Sequence, residues 1–562
     1  MTKNNKKPEA EKLKAEIERL KKELKKKKKY GLVWEEKPED VVEMCKEKLP
    51  VLKEVKNKEI ITDKEKPVNL MIEGDNYHVL SVLNYTHAKK VDVIYIDPPY
   101  NTGARDWKYN NDYVDGEDSF RHSKWLSFME KRLRLAKQLL NDTGFLIATI
   151  DHNEIFNLGN LCDEIFGEYN RVGIVTIVHN PKGRNLSNFF SANSEFMLVF
   201  AKNISKAKFR DIAIDEEIKQ TFDLNDSQGS YRLEHFMRAR THTSRKNKPK
   251  FWYPIYVSLN LKKITREKKN GYHEVFPITN DGKEMTWKTL PETFDIRNNK
   301  RGYFLAQYES GRLQIFHKYR EQQVLKNVWI DKKYQSEFHG TNLLKEILGK
   351  NSFNYPKSLY AVEDILKITT NVDSIVLDFF AGSGTTGHAV LGLNREDNGN
   401  RRFILCTNNE NNIATNVCYP RIKKVIEGYK NLKGEKVEGL DGNLKYFKTD
   451  FVDAEPTDRN KIKLTQQATE MLCVKKGTFE KVLDQKNFKI FKNTNHYTGI
   501  IFDQAAIPTF KKTIKDMKGK FSVYIFSLGD ETFDDEFKDI KQNVQLSPIP
   551  EAILRVYRRI FK

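Results

Sequence analysis

The chain has little sulfur chemistry to offer. Its 562 residues include five cysteines, and Cys45, Cys162, Cys406, Cys418 and Cys473 form neither a CxxC pair nor a His–Cys cluster. That argues against a disulfide framework or a zinc site and for a reducing compartment. Uninterrupted apolar runs are short, and none reaches membrane-spanning length. No long basic amphipathic helix with a bulky apolar face appears either, which argues against a membrane surface as partner. The beginning of the chain is charged rather than signal-like, so the expected location is cytoplasmic. A GxxxxGK[ST] loop is missing, which disfavours an ATPase site.

What the chain has in excess is positive charge. Lys and Arg number 97 against 77 Asp and Glu, a formal net charge of +20 with a sequence pI near 9.3. Such a surface attracts phosphates and releases their counterions, so nucleic acid is the expected partner; a lysine-rich solubilising surface is the plain alternative. With 39% hydrophobic residues the chain can still bury cores, and its length suggests roughly two to four domains. Residues 1–30 are rich in Lys and Glu, with few turn formers after Pro8. Leu13, Ile17, Leu20 and Leu24 make a short a/d seam. It reads either as a solvated basic helix or as a contact helix for a partner subunit, and Lys25–Lys29 could equally touch nucleic acid.

The chain is organised around residues 91–105, VDVIYIDPPYNTGAR. Val91 to Ile96 is apolar except for Asp92 and is predicted as a buried strand. Pro98 and Pro99 lack the N–H that a ladder needs, so the strand stops at Asp97. A carboxylate, a stiff turn and the Tyr100 ring remain at the strand tip, where open α/β sheets bind ligands. That arrangement suits a planar group carrying an amine. Upstream, 69–73 is predicted as a strand ending at Gly74–Asp75 and 76–88 as a helix, completing a βαβ unit. Downstream, 101–118 is expected as a polar loop of lid length. A helix over 125–140, a strand over 145–150, a helix over 154–166 and strands over 172–178 and 195–200 continue the alternation. The expected fold is a doubly wound, mostly parallel sheet. Asp151, with Asn153 and Glu154, is read as structural capping after its strand.

Between 203 and 345 the alternation stops. Arg238, Arg240, Arg245, Lys246, Lys248 and Lys250 lead into Phe251, Trp252 and Tyr253. Cations beside flat rings suit phosphate contact and base stacking, while a small aromatic core is the competing account. The α/β pattern returns with a strand over 372–378, the turn FFAGSGTTG (379–387) into a helix, a strand over 401–407 and a long helix over 413–432. The turn is read as FxGxG (Phe380, Gly382, Gly384) rather than as a dinucleotide fingerprint. Its glycines let a ligand approach the backbone, and the following helix offers unpaired N–H groups. A nucleotide needs an acidic residue after the next strand for its ribose; Glu410 is the candidate, with Asn408 or Asn409 as substitutes. From about 443, strands over 497–502 and 521–526 and a segment over 553–561 read as a small separate α/β domain with no visible catalytic constellation.

DPPY at Asp97–Tyr100 and FxGxG at Phe380–Gly384, in that order around a basic insertion, resemble the β-class amino-methyltransferases of DNA. The NTGA continuation, NPKGR at 180–184, FWYPIYV at 251–257, YPK at 355–357, NNENN at 408–412 and YGLVWEEKPE at 30–39 are similar to the modification (Mod) subunit of type III restriction–modification systems. The resemblance covers nearly the whole chain and is weakest after 443. It implies a Rossmann-like doubly wound methyltransferase sheet in circularly permuted order, with an inserted target-recognition domain and a small C-terminal α/β domain. The implied segments are a basic helical region (1–50), two methyltransferase parts (51–202 and 346–442), the target-recognition domain (203–345) and a C-terminal partner or dimer contact (443–562). The implied cofactor is S-adenosyl-L-methionine, with no metal. The implied partners are double-stranded DNA, a second copy of the chain and a separate ATP-dependent restriction (Res) subunit.

The reaction so implied is methyl transfer to N6 of an adenine flipped out of the duplex. Asp97 accepts one N6–H, the Pro98 carbonyl a second, Pro99 stiffens the turn and Tyr100 stacks on the base. The resemblance sets Asp378 near the cofactor's amino group, Phe380, Gly382, Gly384 and Thr385 around it, and Lys357 near its carboxylate. Asp75 either reaches the cofactor's adenine or caps the helix after it. Alternatives remain. An N4-cytosine enzyme more often begins the tetrad with Ser, and an RNA or protein-glutamine methylase with Asn. A solitary methyltransferase needs no nuclease, and an idle recognition scaffold predicts damaged motifs, which these are not.

Overall fold

The computed structural model describes residues 34–561 except 36, 64, 184–188, 211–215, 301, 321–324, 351–352, 530, 532 and 541. The helix expected over 1–30 and Arg184 lie outside the described residues. The chain forms two compact units, one of residues up to 209 with 326–562 and the other of 210–325.

The first unit is built on a ten-stranded sheet. Its strands are β1 (Lys48–Glu54), β2 (Val68–Glu73), β3 (Val91–Ile96), β4 (Leu140–Ile150), β5 (Arg171–Val178), β6 (Ser194–Ala201), β7 (Val328–Trp329), β8 (Ile375–Asp378), β9 (Arg402–Thr407) and β10 (Asn443–Asp453). They lie in the order β1, β10, β2, β9, β8, β3, β4, β6, β5, β7. From β10 to β4 every neighbouring pair is parallel, so the tips of β2, β9, β8, β3 and β4 share one edge. The expected doubly wound α/β sheet is present. Asp92 explains itself as the one polar residue of β3. Its two oxygens accept from Asn141 Nδ2 and from the backbone N–H of Ile375, both at 2.7 Å, tying β3 to a strand 283 residues away.

Four expectations change. Residues 101–118 are not a lid-like loop but carry a hairpin, Ala104–Tyr109 with Asp112–Asp115. Trp107, Tyr109 and Val114 alternate inward and are buried; Trp107 Nε1 donates to Asn101 Oδ1 at 3.0 Å. The helix expected over 413–432 ends at Glu427, because Gly428 turns away at φ +90°. The insertion is narrower than 203–345, since Val328–Trp329 pairs with the main sheet. The C-terminal segment is not separate: Asn443–Asp453 lies between β1 and β2, so a boundary at 442/443 cuts the sheet. Its five-stranded sheet also shares a core with the first unit. The cause is the helix Asn76–Thr86, whose residues from Tyr77 onward are all buried. A helix apolar on every side needs cover on every side, and Thr469–Lys476 and Glu551–Ile560 supply it.

Among its described residues the second unit holds three small antiparallel sheets, of four, three and two strands, around Phe236, Tyr253, Ile255, Val257, Trp287, Phe294 and Phe304. Tyr253 is thereby corrected from a surface contact to a core residue, with its hydroxyl donating to the Thr289 carbonyl at 3.1 Å. Trp252 is half-buried and stacked on Phe276 at 5.1 Å between centroids. Arg238, Arg240, Arg245, Lys246 and Lys250 are exposed, and Lys248 is half-buried. Arg245 pairs with Glu284 at 2.9 Å. No helix among the described residues is long and apolar enough to cross a membrane.

Candidate active site

Two clusters meet where β3 and β8 lie side by side. At the tip of β3, Asp97 Oδ1 accepts from Thr149 Oγ1 at 2.8 Å and from Lys357 Nζ at 3.1 Å. Oδ1 is the oxygen nearest to both donors. Lys357 also pairs with Glu195 Oε2 at 3.2 Å, the same oxygen that accepts the Tyr100 hydroxyl at 3.0 Å. The Lys357 ammonium sits 4.6 Å from the Tyr100 ring centroid. Trp125 Nε1 donates to the Pro99 carbonyl at 2.8 Å, which fixes the turn and leaves the Pro98 carbonyl as its second acceptor. Burial raises the Asp97 pKa, Lys357 opposes that and Glu195 adds to it. For Lys357 burial acts downward, but Asp97 and Glu195 outweigh it and hold the ammonium well above its usual range.

At the tip of β8, Asp378 accepts the Phe380 N–H at 2.9 Å and the Thr386 hydroxyl at 2.6 Å. Burial first, then the neighbouring Asp97, lifts it to about 7. The chain then turns through Gly382 and Gly384 into the helix Thr385–Asp397. Gly384 stands at φ +80°, and a Cβ there would lie 3.1 Å from Cys418 Sγ. GSGTTG (382–387) does have GxGxxG spacing. Its third glycine, Gly387, lets the helix close on Ile422 and Leu405, which is the packing role of that position. Behind the turn lies Arg421, fully buried, donating to Ser383 Oγ at 3.1 Å and Thr385 Oγ1 at 2.8 Å. Its Nε has no partner among the described residues.

The other expected residues fall as follows. Lys357 lies on the Asp97 side, between two carboxylates, rather than at the glycine turn. Glu410 stands beyond β9 in a short 3₁₀ turn and pairs with Lys108 at 2.9 Å. Asp75 caps Asn76–Thr86, accepting the Tyr77 N–H at 2.8 Å, and keeps 28% of its side chain exposed, so the cap leaves it open to a ligand. Asp151 holds its own turn through Asn153 N–H at 2.8 Å. Phe380 packs on Phe128, centroids 5.9 Å apart.

Thr149, Glu195, Arg421 and Arg132 escaped the sequence. Thr149 and Glu195 are polar residues on otherwise apolar strands, which was the available signal. Arg132, fully buried, joins Glu39, Asn76 and Asp75, and Asn76 in turn donates to the Phe379 carbonyl at 3.2 Å.

Residues 91–417 match the family described as DNA methylase, a span that includes the Asp97 cluster and, apart from Arg421, the Asp378 cluster. The chain is 34% identical over 381 residues to the EcoPI Mod subunit, of a type III restriction-modification enzyme of Escherichia phage P1, covering 61% of this chain and 58% of that protein. It is 30% identical over 385 residues to the type II methyltransferase M.KpnI of Klebsiella pneumoniae, covering 65% and 89%. It is 32% identical over 405 residues to the StyLTI Mod subunit of Salmonella typhimurium, covering 64% and 55%. The chain thus spans little more than half the length of the Mod subunits it matches.

Proposed function

The chain belongs to the DNA methylase family, and from that premise we propose that it methylates N6 of adenine in double-stranded DNA as the modification subunit of a type III restriction–modification system. The observation that carries the reading is the pairing of β3 with β8, which sets the DPPY carboxylate beside Asp378 and the glycine turn.

The donor is S-adenosylmethionine, and the cradle fits its two charged ends. Asp378 is a buried carboxylate suited to the ammonium. Thr385, Ser383 and the helix N-terminus suit the carboxylate, with Arg421 behind them as a buried cation that contacts two hydroxyls, the Ser383 carbonyl and a histidine nitrogen. Gly382 and Phe380 flank the cradle, Asp75 is left to reach the adenine and Glu410 the ribose. Bound there, S-adenosylmethionine supplies a methyl group on a positively charged sulfur.

The chain's residues do the rest by orientation and charge. An exocyclic amine is a poor nucleophile while its lone pair is delocalised into the ring. Asp97 Oδ2 accepts one N6–H and the Pro98 carbonyl the other, drawing the nitrogen toward tetrahedral geometry. Tyr100 stacks on the flipped base, worth ~1–3 kcal/mol. Methyl transfer would leave the donor as a neutral thioether, and Asp97, whose burial already favours protonation, takes the N6 proton. Asp at the first tetrad position favours adenine over cytosine. Arg238, Arg240, Arg245, Lys246, Lys248 and Lys250 serve as phosphate contacts in the target-recognition domain, and neutralising three of them lowers the salt slope of DNA binding by about 3.

The titration of Asp378 sets a pH dependence. Its raised pKa stabilises the fold fully below the ordinary 3.8, and that contribution is lost as pH rises through about 7. Donor binding needs the ionised form and runs the other way. Calorimetry gives ~tenfold weaker donor affinity at pH 6 than at pH 8, and the donor-induced rise in Tm grows over the same interval.

The type III reading adds a homodimer and an ATP-dependent Res partner. A monomer in micromolar sedimentation removes the first. The 89% coverage of the type II relative favours a second reading, a methyltransferase acting without a nuclease; purification from the native host, with or without an associated ATPase, separates the two. Methylation-sensitive sequencing of a host expressing the chain tests the function itself. The expected result is N6-methyladenine at a single recognition sequence.

A further inference from the structure

Glu195 is a second carboxylate in the DPPY cluster, and its placement has a consequence for Asp97. Side-chain exposure falls from 28% at Asp97 to 11% at Lys357 and 8% at Glu195. The ammonium therefore sits inside, between an outer and an inner carboxylate. An ammonium facing Asp97 alone would be drawn to both of its oxygens, because a buried cation collects every acceptor within reach. Here Glu195 shares it at 3.2 Å, and its nearest approach to Asp97 is to Oδ1 at 3.1 Å. The Lys357 backbone is itself fixed. Gly340 packs so tightly beneath it that a Cβ would meet the Lys357 carbonyl at 3.1 Å, and Ser358 Oγ donates to the Lys333 carbonyl at 2.7 Å. The same Glu195 oxygen takes the Tyr100 hydroxyl, so one residue sets both the acceptor and the stacking ring.

We propose that Glu195 is a positioning residue for the target base, holding Lys357 on the Oδ1 side of Asp97 and anchoring Tyr100 so that Oδ2 and the ring face stay open to the flipped amine. The inference rests on the base-methylation reading above. With Glu195 in place the three charged groups sum to −1, matched to the positive charge that the amine gains as its new bond forms. Replacing Glu195 by Gln makes the cluster neutral and frees Lys357 to cover Oδ2.

Glu195→Gln is expected to lower kcat about tenfold to a hundredfold, with donor affinity by calorimetry within about threefold of wild type. The acid limb of the kcat profile shifts to lower pH. The groups acting on Asp97 are Lys357, Glu195, Tyr95, Tyr100 and Asp378, with Thr149 bonding it, and only the Glu195 charge is removed. Tyr100→Phe, which breaks the outer link and leaves the ring, gives part of the same loss, and the double variant loses less than the product of the two. Tyr100→Phe carries the test alone if Glu195→Gln does not fold. A Glu195→Gln enzyme within about twofold of wild-type kcat, or one whose donor affinity falls as far as its kcat, overturns the inference. So does a Tyr100→Phe enzyme of unchanged kcat. If the wild-type protein transfers no methyl group, it is the reading of the site that fails, and the inference falls with it.

Discussion

Asp97→Ala yields a protein that binds S-adenosylmethionine and methylates nothing. In the proposed reaction the side chain is the acceptor that draws the amine out of conjugation, and its neighbours are not placed to replace it. Thr149 and Lys357 are donors that themselves rely on Asp97 Oδ1. Glu195 lies deeper, tied to Lys357 and Tyr100. Loss of a preorganised electrostatic contact costs about 10²–10³ in kcat, and loss of the proton acceptor as well pushes the expected fall beyond ~10³. Donor affinity, set at β8 and the glycine turn, stays within about threefold. Turnover near wild type removes Asp97 from its role. Equal loss of binding and turnover means the variant disturbed the cradle instead.

The largest stability effect belongs to Arg132→Met. The guanidinium is fully buried, with Nη2 2.6 Å from one oxygen of Glu39 and Nη1 3.1 Å from the other. It also donates to Asn76 and lies 3.6 Å over the Phe128 ring. Removing it leaves the Glu39 carboxylate, 4% exposed, without its two close N–H donors and with Lys131 at 3.9 Å as the remaining cation. Breaking such a pair costs about 3–5 kcal/mol, whereas replacing both members by apolar groups is often near neutral. Urea denaturation of Arg132→Met is expected to show that loss, and Arg132→Met with Glu39→Leu to recover most of it. Because Asn76 reaches the Phe379 carbonyl, the single variant also weakens donor binding. A single variant within 1 kcal/mol of wild type, by the same principle, would mean the pair is solvated.

What was legible in the chain was whatever the backbone itself announces. An apolar run cut short by two prolines located β3 and the strand tip. The helix Asn76–Thr86 was visible too, but Tyr77, Val79, Leu80, Val82, Leu83 and Tyr85 encircle it, and that ring of apolar residues already required the cover that the C-terminal segment provides. The hairpin at 104–115 was hidden because its apolar side is two aromatics and a valine among charges. Glu195 was hidden for a different reason. Its charge beside an apolar run is the one local sign, and its partners, Tyr100 and Lys357, lie 95 and 162 positions away, so nothing local says what it does. Arg132 and Arg421 look like ordinary helix cations in sequence, and only burial distinguishes them. Tyr253 shows the opposite failure. Its neighbours Lys248 and Lys250 made it look like a stacking surface, while the small domain needed its ring for a core.

The proposed function has the cluster at Asp97 accept an adenine amine beside a methyl donor held at Asp378. Incubation of the purified chain with tritiated-methyl S-adenosylmethionine and duplex DNA, followed by nucleoside analysis, tests this directly. Label is expected in N6-methyladenine alone, and none with Asp97→Ala. Label in N4-methylcytosine, or no transfer by the wild-type protein, overturns the assignment.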